Sequence, residues 1–131
     1  MSTEAMLAGD MVVADGLETL SLVQVTDTHL TGTGEGCLLG MNTERSARTV
    51  IDTALANEST DCILVTGDIA ADGQPGAYGQ LEALLGSEVP SLWLPGNHDD
   101  VSGHKDRYAP HMKRRLRAQH WDVVMLETQV E

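Results

Sequence analysis

Three short clusters in this 131-residue chain carry side chains that bind metals or move protons, and each stands directly after an apolar run. Leu20-Ser21-Leu22-Val23-Gln24-Val25-Thr26 leads into Asp27-Thr28-His29. Cys62-Ile63-Leu64-Val65-Thr66 leads into Gly67-Asp68, and Ser91-Leu92-Trp93-Leu94-Pro95 leads into Gly96-Asn97-His98-Asp99. Turns collect Pro, Gly, Asn and Asp for backbone reasons, so any one cluster alone reads equally as turn chemistry. Their shared placement points further. In an open parallel sheet the ligand crevice lies beyond the carboxyl ends of the strands, where three such tips converge.

The residue types suit a two-metal site that hydrolyses a phosphoester, in which two cations about 3.5–4 Å apart clamp the attacking and leaving oxygens. Asp27 and His29, one residue apart on a single strand tip, reach one metal together. Their mixed oxygen and nitrogen donors suit Mn, Fe or Zn. Asp68 is the candidate bridging carboxylate, and Asn97 offers the second metal a neutral amide oxygen. His98 is then free to face the leaving-group oxygen as hydrogen-bond donor or general acid, with Asp99 to fix its orientation.

The elements that must hold these tips alternate strand and helix, which makes the class α/β with a mainly parallel sheet. Met11–Ala14 reads as a short strand that turns through Asp15-Gly16, as a hairpin or a longer loop, into the strand ending at Thr26. Gly32, Gly34, Gly36 and Gly40 make residues 30–42 a loop that holds neither helix nor strand for long. Asn42 offers a helix N-cap, and Ala47, Val50, Ile51, Ala54 and Leu55 recur at helical spacing towards Asn57. Cys62–Thr66 is apolar on both faces, as a covered parallel strand should be. Pro75 opens a second helix with a stripe of Tyr78, Leu81, Leu84 and Leu85, and Gly86 closes it. Beyond Asp100 a helix from Ser102 is interrupted at Pro110 and restarts through Met112, Leu116 and Gln119. Trp121–Leu126 is a fourth strand. No GxGxxG order of the dinucleotide-binding kind occurs.

Hydrophobic residues make up 41% of the chain, but aromatic ones only 3% with no Phe, so the core should be aliphatic and filled by Met. The net charge of −12 argues against a nucleic-acid surface, since phosphate backbones are held by clustered Lys and Arg. An acidic chain still takes a phosphate substrate when bound cations invert the local charge. Six of the eight basic residues, Lys105, Arg107, Lys113, Arg114, Arg115 and Arg117, fall within 105–117 and read as a solvated helix face. Cys37 and Cys62 have neither zinc nor disulfide spacing. With no signal-peptide pattern at Met1-Ser2-Thr3-Glu4-Ala5 and no 18-residue apolar run, a cytoplasmic chain without a membrane partner is expected.

Asp-x-His, then Gly67-Asp68-x-x-x-Asp72, then Gly96-Asn97-His98-Asp99 resembles the signature of the calcineurin-like metallophosphoesterases. Thr26-Asp27-Thr28-His29-Leu30, Leu38-Leu39-Gly40-Met41-Asn42-Thr43, Trp93-Leu94-Pro95-Gly96-Asn97-His98-Asp99 and Leu126-Glu127-Thr128-Gln129-Val130 are similar to bacterial 3′,5′-cyclic-AMP phosphodiesterases. The resemblance runs from about Leu20, leaving 1–19 as an N-terminal extension with a short strand and 20–131 as a truncated phosphoesterase domain. It implies a four-layer αββα sandwich, of which this chain is the N-terminal half. It also implies two divalent or mixed-valence ions, with Asp27 and His29 on the first, Asp68 bridging, Asn97 on the second and His98 assisting catalysis. The activity it implies is hydrolysis of a phosphodiester, 3′,5′-cyclic AMP to 5′-AMP, by a metal-bound hydroxide.

Four of the seven ligands that the resemblance implies are matched. A further lone His and a Gly-His-x-His motif are not, since His104, His111 and His120 follow Asp99 too closely and none lies in that motif; His104 and His111 read as surface or loop residues. The expectation is therefore an incomplete site, weakly active or inactive, with most of the second sheet missing and an apolar sheet face exposed. Two alternatives stay open: a non-catalytic module that binds a partner or dimerises through that face, and a phosphomonoesterase of the same superfamily.

Overall fold

The computed structural model describes residues 6–8, 11–14, 16–56, 59–99 and 111–127. Its centre is a three-stranded parallel sheet in the order β3 (Leu22–Val25), β6 (Cys62–Thr66), β7 (Ser91–Leu94), with Val25, Val65 and Trp93 in register. Side chains alternate across a strand. Ile63, Val65 and Trp93 therefore meet the helices α1 (Thr43–Ala56) and α2 (Pro75–Leu85), packing with Ile51, Tyr78 and Leu81. Cys62, Leu64, Leu92 and Leu94 point the other way, onto Leu17, Leu116, Val123 and Met125. The core is mainly aliphatic, as composition implies, yet its two largest fully buried side chains are Trp93 and Tyr78.

Local chemistry sets the helix ends. Asn42 accepts the Arg45 amide at 2.8 Å, so it caps α1, and Glu44 in the first turn suits the helix dipole. Pro75 stands at the start of α2, and the Gly86 amide donates to the Glu82 carbonyl at its end. Within the glycine-rich loop, β4 (Cys37–Leu38) and β5 (Met41–Asn42) form a two-residue hairpin. Its turn residues Leu39 and Gly40 both have positive φ, 51° and 82°, as the tight primed turns require.

A second sheet, in the order β1 (Met6–Ala8), β2 (Met11–Ala14), β8 (Arg115–Ala118), β9 (Asp122–Val124), lies against the free face of the first. β2 runs parallel to β8, and the outer pairs are antiparallel. Of the hairpin and the longer loop read between β2 and β3, it is the loop that joins them, since the two strands belong to different sheets. Other expectations fail here. Residues 115–118 are a strand, not a restarted helix. Arg-Leu-Arg-Ala alternates with period two, and Leu116 and Ala118 are buried while Arg117 is exposed. Arg115 and Arg117 consequently do not lie on a helix face, and Lys105, Arg107, Ser102 and His104 lie outside the described residues. The strand read at Trp121–Leu126 joins this second sheet. The apolar face expected to stay open for a second copy is covered: Cys62 and Leu92 are fully buried and Leu116 is 1% exposed.

The outermost pair is held by charge as well as by backbone. Arg115 donates from Nε to Asp122 Oδ1 at 2.7 Å and from a terminal nitrogen to Oδ2. The guanidinium holds the Asp122 carboxyl below its usual range. That contribution is present above the ordinary carboxylate pKa and is lost as pH falls through the lower folded value. No helix among the described residues is long and apolar enough to cross a membrane.

Burial pushes the Cys62 thiol up to about 12, whereas Cys37 is exposed. Iodoacetamide at pH 8 should therefore add one label per native chain, at Cys37, and two after denaturation, read by intact mass. Leu116→Ala, which empties the space between the sheets, should cost about 2–5 kcal/mol in urea unfolding.

Candidate metal centre

Beyond the strand ends, the tips of β3 and β6 stay paired. The amides of Asp27, His29 and Leu30 donate to the carbonyls of Gly67, Asp68 and Ile69 at 3.0, 3.0 and 2.7 Å. Asp27, His29 and Asp68 all adopt left-handed backbone, with φ of 57°, 46° and 48°. Such conformations cost non-glycine residues free energy, and they concentrate at functional sites. Here they turn three side chains of two neighbouring strands towards one point.

One ligand atom from each of Asp27, His29 and Asp68 lies within 4.8 Å of the other two. His29 Nε2 is 3.8 Å from Asp27 Oδ1 and 4.0 Å from Asp68 Oδ2. His29 and Asp68 are largely buried, and Asp27 is open to solvent. Two carboxylates and an imidazole form a donor set that suits first-row divalent cations, so these residues fit the metal chemistry read from the sequence. Asn97 joins Asp27 and Asp68 on the wall of one cavity of about 440 Å³, with Thr66, Gly67, Pro95 and Gly96. The structure thus gathers Asp27, His29 and Asp68 from two strand tips, and sets Asn97, from a third, on a cavity wall with the two carboxylates.

The tips of β6 and β7 touch through glycine. A Cβ added at Gly96 would lie 2.2 Å from Asp68 Oδ1 and 2.5 Å from the Asp68 amide nitrogen. Only a residue without a side chain fits there, and Asp68 is placed by that contact. The His98 amide donates to Asp68 Oδ1 at 3.1 Å, and the His98 ring meets the His29 ring edge-on at 5.2 Å. Nδ1 of His98 pairs with the Ala71 carbonyl at 2.9 Å.

Asp99 does something other than orient His98. Its Oδ1 accepts the Ala70 amide at 2.8 Å and the Tyr78 hydroxyl at 3.1 Å, while Oδ2 accepts the Gly96 amide at 2.7 Å and the Ile69 amide at 3.2 Å. With four donors filling the carboxylate, the Ala71 carbonyl is left as the partner of the His98 ring. Tyr78 was legible only as part of a buried stripe. Its hydroxyl was the available signal, because a buried phenol needs a hydrogen-bond partner. His111 is on a loop, as expected, but half-buried. It stacks on Trp93 at 4.5 Å and pairs with Glu82 at 3.0 Å and Ser91 at 3.3 Å.

Residues 20–127 match the calcineurin-like phosphoesterase family. The 3′,5′-cyclic adenosine monophosphate phosphodiesterase CpdA of Escherichia coli is 34% identical over 115 residues, covering 83% of this chain and 42% of that protein. The CpdA of Vibrio vulnificus is 32% identical over 125 residues, covering 85% and 43%. A 3′,5′-cyclic-nucleotide phosphodiesterase of Nostoc is 32% identical over 116 residues, covering 85% and 44%. The chain spans less than half the length of these curated relatives. A family match across 108 residues, with the metal-seeking side chains gathered at one end of the sheet, leads to one conclusion: the chain belongs to the calcineurin-like phosphoesterase family.

Proposed function

We propose that this chain carries the metal-holding part of a phosphodiesterase that opens the ring of a 3′,5′-cyclic nucleotide, cyclic AMP to 5′-AMP. The observation that carries the reading is the convergence of Asp27, His29 and Asp68 within 4.8 Å. Asp27 and His29 would hold one divalent cation, Asp68 would be shared, and Asn97 would hold a second. Bound together, two such cations supply Lewis acidity at the phosphoryl oxygens and lower the pKa of water. The substrates named for the relatives favour a cyclic diester over a monoester.

The chain's own residues divide the remaining work. His98 is fixed through two contacts, its amide on Asp68 and its ring Nδ1 on the Ala71 carbonyl. When Nδ1–H donates to that carbonyl, Nε2 is the atom left to exchange a proton with the leaving oxygen. Asp99 is a positioning residue, holding the amides of Ile69, Ala70 and Gly96 so that Asp68 and Asn97 keep their spacing.

Calorimetric titration with Mn²⁺ tests the site directly. Asp68→Asn should weaken binding by at least about tenfold, or ~1.4 kcal/mol, while His98→Asn should keep it within about twofold. No Mn²⁺ binding at millimolar concentration would end the reading. In turnover, the Mn²⁺-loaded chain should hydrolyse cyclic AMP faster than 5′-AMP, and His98→Asn should lower that rate by about 10²–10⁴. Asp99→Asn sets an amide NH₂ against backbone donors and should cost about 2–3 kcal/mol of stability, against about 1 for Tyr78→Phe, both read from urea midpoints.

A further inference from the structure

A second cleft opens on the other side of Asp27. Its walls are Val25, Ala47 and Ile51, between β3 and α1, and its rim is Leu38 and Met41 of the β4–β5 hairpin with Val50 of α1. These rim residues are 40%, 53% and 59% exposed, three large apolar side chains side by side on a chain of net charge −12. Contiguous exposed apolar surface of this kind marks a binding site more often than scattered single residues do.

The cleft and the metal cavity adjoin, because Asp27 lines both. Their linings differ in balance: beside Asp27 and His29, which belong to the metal triad, the cleft is walled largely by aliphatic groups and a thioether, whereas the cavity holds Asp27, Asp68 and Asn97. No Lys or Arg lines the cleft, so it holds no permanently charged cation for a phosphate. At about 320 Å³ it lies at the small end of the range of about 300–1,000 Å³ in which small-molecule pockets fall, room for one compact ring system. Met41 supplies a polarizable sulfur of the kind that packs on aromatic rings. Gln24, Thr28 and Ser46 place amide and hydroxyl groups on the same wall, which suits a heteroaromatic ring with nitrogens at its edge better than a hydrocarbon.

We propose that the cleft between β3, the β4–β5 hairpin and α1 receives the planar organic group of the ester, a purine-sized ring, while the phosphate sits at Asp27, His29, Asp68 and Asn97. This rests on the phosphodiesterase reading above and adds the residues that select the substrate. Leu38, Met41 and Val50 are specificity determinants that touch the ring and take no part in bond breaking.

Adenosine tests the cleft without the metals, since it carries the ring and no phosphate. Titrated into the metal-free chain with labelled methyl groups, adenosine should shift the Met41 and Val50 methyl resonances and bind at least about tenfold tighter than ribose. Val50→Asp and, independently, Met41→Thr should each remove that preference while leaving Mn²⁺ affinity unchanged. Equal binding of adenosine and ribose would overturn the proposal, as would adenosine binding untouched by both substitutions. A chain that sediments as a dimer and becomes monomeric in Val50→Asp would also overturn it, assigning the cleft to a second copy. Loss of Mn²⁺ binding, by contrast, sinks the phosphodiesterase reading and leaves the adenosine result standing.

Discussion

The carboxylate of Asp99 is the contact on which the geometry of the strand ends depends. Pairing between β6 and β7 stops at Thr66 and Leu94, so beyond them the loop after β7 needs another tie to the loop after β6, which is itself held to the tip of β3. One anionic side chain gives it by accepting the amides of Ile69 and Ala70 from one loop and of Gly96 from the other, and by reaching the Tyr78 hydroxyl on α2. Hydrogen bonds to a charged acceptor are roughly twice as strong as neutral ones. Four of them on a partly buried carboxylate join two loops and a helix into one unit. Asp68 and Asn97 are set on that unit, and their separation is therefore a property of the scaffold.

A second constraint works against the first. Asp27, His29 and Asp68 all sit in left-handed backbone, at a cost on the order of 1–3 kcal/mol each. Gly67, itself at φ 107°, and Gly96 approach so closely that a Cβ on either would meet the other loop. This strain persists because the sheet beneath is over-determined: Ile63, Val65, Trp93 and Tyr78 are fully or almost fully buried on the helix side, and Cys62, Leu92 and Leu116 on the other. Packing of two layers against the central sheet offsets the expense of aiming three side chains at one point.

How much of this could be read in advance follows from which interactions are local. Asn42, Pro75 and Gly86 act through backbone groups within a few residues, so the limits of α1 and α2 were legible. So was the gathering of Asp27, His29 and Asp68, since each lies within a few residues of an apolar run and their types match one chemistry. Arg115–Ala118 was misread because Met112, Leu116 and Gln119 mimic helical spacing, while the partners that make the segment a strand are β2 and β9, far along the chain or antiparallel to it. The role of Asp99 was hidden for the same reason. A neighbour in sequence, His98, was the obvious partner, but the donors that fill the carboxylate include amides 29 and 30 residues away. The second sheet could not be seen while one of its strands was read as helix.

The charge of the chain bears on how an anionic ester would reach this site. With 20 carboxylates against 8 basic residues, and with Asp27 and Asp68 facing the same point, the field at the strand tips repels a phosphodiester in the absence of cations. On the reading proposed above, a cation pair reverses that sign locally, because bound divalent ions become the largest charges in such a site. The neutral donors Asn97 and His29 then matter as much as the carboxylates: they ligate without adding negative charge, and so leave the centre net positive towards substrate. On the same reading the cleft beside Asp27, whose rim is Leu38, Met41 and Val50, acts on the uncharged end of the ester. Affinity for the phosphate and selectivity for what it carries would then meet at Asp27, which both spaces share.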